Sequence, residues 1–279
     1  MTNRELALKS VRYRQTVLRI IKEAGAGHTG GSLSCIDILN VLYNDVLNVS
    51  PTTFADPTRD RYIHSKGHSV EALYTVLADR GFFPDSDLHT LSRYRSHLVG
   101  HPTRKVNGIE HNTGALGHGL SVATGLALAA VKSGHGYRVL VLLGDGELTE
   151  GSVWEAAMAA AYYRLENLVI IVDRNGLQIT GRTEDVMGLE PLAQRFSAFG
   201  LEVRTCDGND ITDLRTAFHE TPFARGRPSL LLAHTVKGKG VSFMENQVNW
   251  HHHVPDDDEL RLALRELECT EAELQVEHV

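Results

Sequence analysis

Val139-Leu140-Val141-Leu142-Leu143-Gly144-Asp145-Gly146 and Leu168-Val169-Ile170-Ile171-Val172-Asp173-Arg174-Asn175-Gly176 flank a helix-like segment at residues 152–164. Two continuous apolar runs of strand length, joined through a helix, read as a βαβ unit with parallel strands buried on both faces. Gly144-Asp145-Gly146 ends the first run and Asn175-Gly176 ends the second. Parallel pairing therefore brings Asp145 and Asn175 to one edge of the sheet, where open α/β sheets bind ligands. A carboxylate and an amide carbonyl, beside glycines that let a ligand approach the backbone, suit a Mg²⁺ ion that takes its remaining oxygens from water and phosphate. Taken singly, Asp-Gly and Asn-Gly are ordinary turn dipeptides. Placed after two buried strands, they point to a diphosphate site. The chain has neither G-x-G-x-x-G nor G-x-x-x-x-G-K-[ST], so dinucleotide and Walker-type readings have no motif.

Working outward, residues 4–24 carry apolar side chains at helical spacing and are predicted to form an amphipathic helix ending before Gly25. Residues 25–31 are predicted as a loop, 36–47 and 69–79 as helices, and 113–130 as a small-residue helix whose many Ala and Gly imply burial. Tyr62-Ile63 is a short apolar run before Ser65-Lys66-Gly67-His68, and residues 84–111 read as irregular. Residues 201–204 and 229–233 are predicted strands, with helices at about 190–198 and 211–219. This alternation predicts an α/β fold, a doubly wound, mainly parallel sheet with helices on both faces. Residues 1–279 read as a single domain, with 255–279 a helical acidic C-terminal tail.

The chain has 279 residues, is 42% hydrophobic and carries a formal net charge of −7 from interspersed charges, enough for a substantial core and without a basic stripe. Nucleic acid and lipid are therefore not expected partners; a small molecule is. Cys35, Cys206 and Cys269 show no metal or disulfide spacing, and no signal-peptide core or membrane-length segment is present. A soluble, unexported protein of the reducing cytoplasm is expected. The 15 histidines are numerous, and many sit beside glycine or in predicted loops. His64 and His68 have the i, i+4 spacing of a metal pair, but the Glu of H-E-x-x-H is missing. His89, His97, His135, His219 and His278 read as surface or hydrogen-bonded histidines.

Gly144-Asp145-Gly146-Glu147-Leu148-Thr149-Glu150-Gly151 through Asp173-Arg174-Asn175-Gly176 resembles the thiamine-diphosphate signature of the transketolase family. The resemblance implies the thiamine-diphosphate-binding fold, in its diphosphate-type domain, with thiamine diphosphate and Mg²⁺ as cofactors; Ca²⁺ or Mn²⁺ can substitute. It implies that Asp145, Asn175 and the main-chain carbonyl of Leu177 hold the metal and that Gly146 and Asn175 contact the cofactor. Glu150 matches a family glutamate at a subunit interface, beside the plainer reading of a carboxylate at a helix start. Gly27-His28-Thr29-Gly30-Gly31 and Gly100-His101-Pro102 resemble segments whose histidines face the donor sugar. Ser65-Lys66-Gly67-His68 resembles a loop whose histidine contacts the diphosphate, Gly114-Ala115-Leu116 a main-chain stretch that holds the cofactor, and Trp250-His251 a motif whose histidine touches diphosphate and substrate. On this resemblance His28, His101, His251 and Glu150 are the expected catalytic residues. The lysine of Lys237-Gly238-Lys239-Gly240 would lie near the cofactor.

The resemblance runs from about residue 10 to about 253, with the motifs in family order. Departures are Ala115 where many relatives carry Pro, His118 where many carry Gln, Asn209 where His is frequent, and His252 where Gly is usual; they leave donor and acceptor open. The family's pyrimidine-binding domain, with its activating glutamate, lies beyond the matched motifs. The expectation is therefore the N-terminal subunit of a split transketolase, working in an α₂β₂ complex with a C-terminal subunit that carries that domain. It would transfer a two-carbon ketol from a ketose phosphate to an aldose phosphate. Alternatives are ketol transfer to an unusual sugar or a carrier-bound acceptor, and a noncatalytic cofactor-binding scaffold subunit. The Gly27–Gly31 and Gly114–Gly117 phrasing disfavours a split deoxyxylulose-phosphate synthase, and Glu147–Gly151 disfavours a 2-oxo-acid dehydrogenase α-subunit.

Overall fold

A computed structural model describes residues 1–276; the last three residues of the acidic tail, His278 among them, lie outside the described residues. Helix α1 (Asn3–Ala24) starts at a capping box, in which the Thr2 hydroxyl accepts from the Glu5 amide and the Glu5 carboxylate accepts from Thr2. It stops at Gly25, whose φ of 65° few other residues adopt at low cost. Then come α2 (Thr29–Ser34), α3 (Ile36–Val41) with a π-helical turn over Leu42–Val46, β1 (Arg61–His64), α4 (Val70–Asp79) and α5 (His118–Ser133). The central unit is β2 (Val139–Gly144), α6 (Gly151–Tyr162) and β3 (Leu168–Arg174). A two-residue hairpin, β4 (Leu177–Gln178) and β5 (Gly181–Arg182), leads to α7 (Thr183–Met187) and α8 (Leu192–Ala198). The chain continues through β6 (Glu202–Asp207), α9 (Ile211–His219), β7 (Ser229–His234) and α10 (Asp257–Val276).

The main sheet runs β1-β2-β3-β7-β6, and every neighbouring pair is parallel. Because strand side chains alternate between faces, the apolar runs supply two cores. Leu140, Leu142, Val169, Ile171 and Leu231 point to the layer of α1, α3, α4 and α9. Val139, Val141, Leu143, Ile170 and Leu230 point to the layer of α5, α6 and α8. Helices thus cover both faces, as the alternation predicted. Parallel strands all end on the same side, so the turns after β1, β2, β3 and β7 converge there.

Three local expectations are corrected. Thr29-Gly30-Gly31, read as loop, forms the first turn of α2, because close packing overrides the low helix propensity of glycine. A Cβ on Gly30 would lie 2.8 Å from the Trp250 carbonyl. Residues 113–117, read as a helix start, stay outside α5: Gly114 and Gly117 have φ of 140° and 83°, which break a helix. The small residues of α5 are buried on one side only, since Ser121, Gly125 and Ala129 are exposed on the other. The β4–β5 hairpin and α7 had no forecast. The acidic C-terminal segment is helical and packs along α1 through Ala263 and Leu267, and Arg4 donates to the Leu274 and Gln275 carbonyls.

Candidate active site

The converging turns line a cavity of about 360 Å³. β1 delivers Lys66 and His68, β2 delivers Asp145 and Gly146, β3 delivers Asn175 and Leu177, and β7 delivers Lys237. The start of α2 adds His28 and Gly31, the loop before α5 adds Gly114 and Leu116, and the late segment adds His251. Two close backbone approaches seat these pieces. Gly67 lies against Gly114, where a Cβ would meet the Gly114 nitrogen at 2.8 Å. The late segment is laced onto α2, with the Thr29 hydroxyl donating to the His253 carbonyl at 2.6 Å and the Gly238 amide to the Gly30 carbonyl at 3.0 Å.

At the floor, Asp145 is 3% exposed. Its Oδ1 accepts from the Gly146 amide at 2.9 Å, and its Oδ2 from the Gly176 amide at 2.6 Å and Arg174 Nη1 at 3.1 Å. Arg174 is held in turn by Thr183, Glu184 and Glu190. Burial, then the nearby Asp173 carboxylate, push the Asp145 carboxyl up, and Arg174 and the Gly176 amide offset this only partly. Such a carboxylate gains from a further cation. Asn175 Oδ1 accepts from the Leu177 amide at 3.1 Å, and the Leu177 carbonyl accepts from Lys237 Nζ at 3.2 Å. Three hard oxygen donors on adjoining turns form the donor set that suits a Mg²⁺-sized ion. Gln178 Oε1, buried beside Gly146 on the cavity wall, has no hydrogen-bond partner in the chain and offers one more acceptor to a ligand.

Behind the floor, Lys66 and Asp173 form a buried ion pair, and the Ser34 and Thr235 hydroxyls also donate to Asp173. Burial opposes both charges; the mutual attraction wins, raising Lys66 and lowering Asp173. Lys237 has no such carboxylate. Its Nζ lies 2.8 Å from His251 Nδ1, and burial, then Lys66, bring its ammonium down to about 8. A desolvated ammonium next to a second lysine favours an anionic ligand.

Around the mouth, the His28 ring has His252 at 4.5 Å, His68 at 5.2 Å, His251 at 5.6 Å and His101 at 6.4 Å between centroids. Burial, then the charge of His252, push His28 down to about 4; burial, then Lys237, push His251 down to about 3. Burial also lowers His68 and His101. Neutral imidazoles result, each able to donate from one nitrogen and accept at the other.

The structure therefore gathers His28, His68, His101, His251, Gly114, Leu116, Gly146, Asp145, Asn175 and Leu177 at one place. Ala115 is exposed beside Leu116, and Glu150 is exposed at the start of α6, outside the cavity lining. His64 and His68 are used separately: His64 sits in the core between the Tyr62 hydroxyl and Ser69, while His68 faces the cavity. The sequence reading did not single out Lys66, Asp173, Glu147 or Gln178. Lys66 lay within a quoted motif, but only folding reveals its pairing with Asp173. Glu147 accepts from Ser65 and the Gly117 and Gly144 amides, tying three of the turns together.

The transketolase thiamine-diphosphate-binding domain model matches residues 5–277. One of the two polypeptides of an apulose-4-phosphate transketolase from Phocaeicola vulgatus is 48% identical over 262 residues, which is 94% of this chain and 93% of that protein. A 6-deoxy-6-sulfo-D-fructose transketolase subunit of a Clostridium species is 40% identical, covering 91% of this chain and 93% of that one. Among solved structures, a transketolase from Leishmania mexicana superposes with a TM-score of 0.81 at 26% identity, over 99% of this chain and 46% of that one. The chain thus spans less than half the length of that transketolase.

Proposed function

The chain belongs to the transketolase family, and from that premise we propose that it is the diphosphate-binding subunit of a split, thiamine-diphosphate-dependent transketolase that transfers a two-carbon ketol from a ketose phosphate to an aldose phosphate. The observation that carries this reading is the meeting of Asp145, Asn175 and the Leu177 carbonyl with Lys237 and the imidazoles of His28, His68, His101 and His251 around one cavity. In it Asp145, Asn175 and Leu177 hold Mg²⁺, which Ca²⁺ or Mn²⁺ can replace. Lys237, His68, Gly146 and the main chain of Gly114, Ala115 and Leu116 hold the diphosphate. When bound, the cofactor supplies the carbanion chemistry that breaks and makes the carbon–carbon bond.

The chain's own residues bind and orient. His28, His101 and His251 hydrogen-bond the donor's hydroxyls and hold or pass their protons, a role worth about 10²–10⁴-fold where proton transfer is concerted. In this reading residues 1–279 are one diphosphate-type domain with a helical C-terminal segment. A C-terminal subunit supplies the pyrimidine-binding domain and its activating glutamate. The α₂β₂ arrangement is supported by unpartnered faces: Gly125 and Ala129 of α5 are exposed, as are Met158 and Tyr162 of α6, while Ile179 at the cavity rim is 71% exposed. Glu150, exposed at the start of α6, falls at that α5–α6 face. Among the described residues no helix is long and apolar enough to cross a membrane, and the three cysteines are free; both agree with a cytoplasmic enzyme.

The sugar is open to a second reading. Relatives at 48% and 40% identity are named for apulose 4-phosphate and for 6-deoxy-6-sulfo-D-fructose, each with an anionic group. An unusual anionic ketose is therefore a substrate class to test. The assay is ketol transfer from hydroxypyruvate, and from ketose phosphates and sulfonated ketoses, to aldose phosphates by the chain co-purified with its pyrimidine-domain partner. Cofactor-dependent transfer is expected with at least one anionic ketose. A folded, cofactor-loaded complex inactive on the whole panel would leave the scaffold alternative.

A further inference from the structure

Beneath His28 lies a carboxylate without a cation. Glu71, in the first turn of α4, is 2% exposed. Its Oε2 accepts from the Ser32 hydroxyl at 2.8 Å, and its Oε1 from the backbone amide of His28 at 3.3 Å. The fit is tight: a Cβ on Gly27 would come within 2.9 Å of Oε1 and 2.7 Å of Ile21. An apolar residue here would avoid the cost of burying a carboxylate. What it could not supply is the pair of accepted hydrogen bonds at the turn from which His28 enters the cavity.

The same helix holds a second part of the mouth. One turn along α4, the Tyr74 hydroxyl donates to the carbonyls of Val99 and His101 at 3.0 and 3.2 Å. The main chain beside two of the clustered imidazoles thus rests on one helix. The groups facing Glu71 are few. The 25–28 turn contributes His28, α1 the apolar Ile21, α2 Ser32, and α4 itself Tyr74, whose phenol burial pushes up. Among the described residues no Lys or Arg pairs with it.

We propose that Glu71 is a positioning residue: by holding the His28 amide and the Ser32 hydroxyl, its ionised carboxylate sets the direction in which the His28 imidazole faces the cavity, and protonation relaxes that hold. The inference rests on reading the cavity as the donor site. Burial pushes the Glu71 carboxyl up to about 7, its hydrogen bonds offsetting part of the effect, so the hold changes near neutrality.

Two measurements test it. The first needs no turnover: the amide resonance of His28 is followed by NMR in the full chain between pH 6 and 8. It should shift with a midpoint near 7 in the wild type and lose that step in Glu71→Gln; the same titration in both would overturn the proposal. The second uses the complex. Glu71→Ala, which leaves the His28 amide without its acceptor, should lower kcat/KM for the donor about 10–100-fold, the scale of a small misplacement. Glu71→Gln should lower it about fivefold, the gap between a charged and a neutral acceptor, and flatten the acid limb of the pH profile. Unchanged kcat/KM in Glu71→Ala would also overturn it. A wild-type complex without turnover would instead defeat the functional reading, and the NMR titration would still decide whether Glu71 holds His28.

Discussion

Arg174 Nη1 lies 3.1 Å from Asp145 Oδ2, and the same guanidinium is anchored by Glu184 and Glu190 beyond the hairpin. The proposed metal-binding carboxylate is therefore steered by a side chain that never enters the cavity lining. Residues of this kind orient a ligand, and losing one typically costs about 10–100-fold in metal affinity. Arg174→Gln should weaken Mg²⁺-dependent binding of thiamine diphosphate by that amount, measured by calorimetric titration of the complex. Unaltered affinity would show that Asp145 keeps its orientation unaided.

Lys237 links two proposed ligand contacts, the Leu177 carbonyl and the His251 ring. A charge-assisted hydrogen bond to phosphate is worth about 1.5–3 kcal/mol. Lys237→Met should thus weaken thiamine diphosphate binding about 10–100-fold and reduce its salt dependence, read from titrations at low and high ionic strength. Equal affinity and salt slope in the variant would remove Lys237 from the diphosphate site.

The exposed small and apolar residues on α5 and α6 give the third prediction. Gly125 has open space where a side chain would project, so Gly125→Arg should leave the fold intact while blocking the face. Sedimentation velocity of the reconstituted complex should then show loss of the α₂β₂ species with the pyrimidine-domain partner still bound. A variant that retains the full assembly would place the two-fold contact elsewhere.

Glu71 predicts a pH dependence of stability whose sign is fixed. Its carboxyl is raised in the fold to about 7, so the folded state holds the proton more tightly than the unfolded chain does. The destabilisation is absent below the unfolded value near 4.5, grows as pH rises, and is complete above about 7. Glu71→Gln removes that term. Its stability relative to the wild type should rise by about 2–3 kcal/mol between pH 5 and pH 8, measured by urea unfolding. A pH-independent difference would mean that Glu71 is not raised in the folded state.

The apolar runs at Val139–Leu143 and Leu168–Val172 carried the fold in the sequence because strands buried on both faces leave little room for another reading. Asp145 and Asn175 were legible for the same reason, since parallel strands must end together. Gly30, Gly114 and Gly117 misled in opposite directions. Helix propensity cannot say whether a glycine sits where another backbone presses close, as at Gly30, or where φ is positive, as at Gly117. Lys66, Arg174 and Glu71 were not legible as site residues. Their partners lie 107, 29 and 43 positions away in the chain, so only the fold shows which charges are buried together.

The most direct test replaces Asp145 with Ala in the complex of this chain and its pyrimidine-domain partner. Ketol transfer is then compared at saturating thiamine diphosphate and Mg²⁺. The account predicts cofactor-dependent turnover by the wild-type complex, almost none by the chain alone, and a loss of at least about 100-fold in the variant, whose fold is preserved. Turnover unchanged by Asp145→Ala would contradict the assignment of the metal and diphosphate site on which the whole account rests.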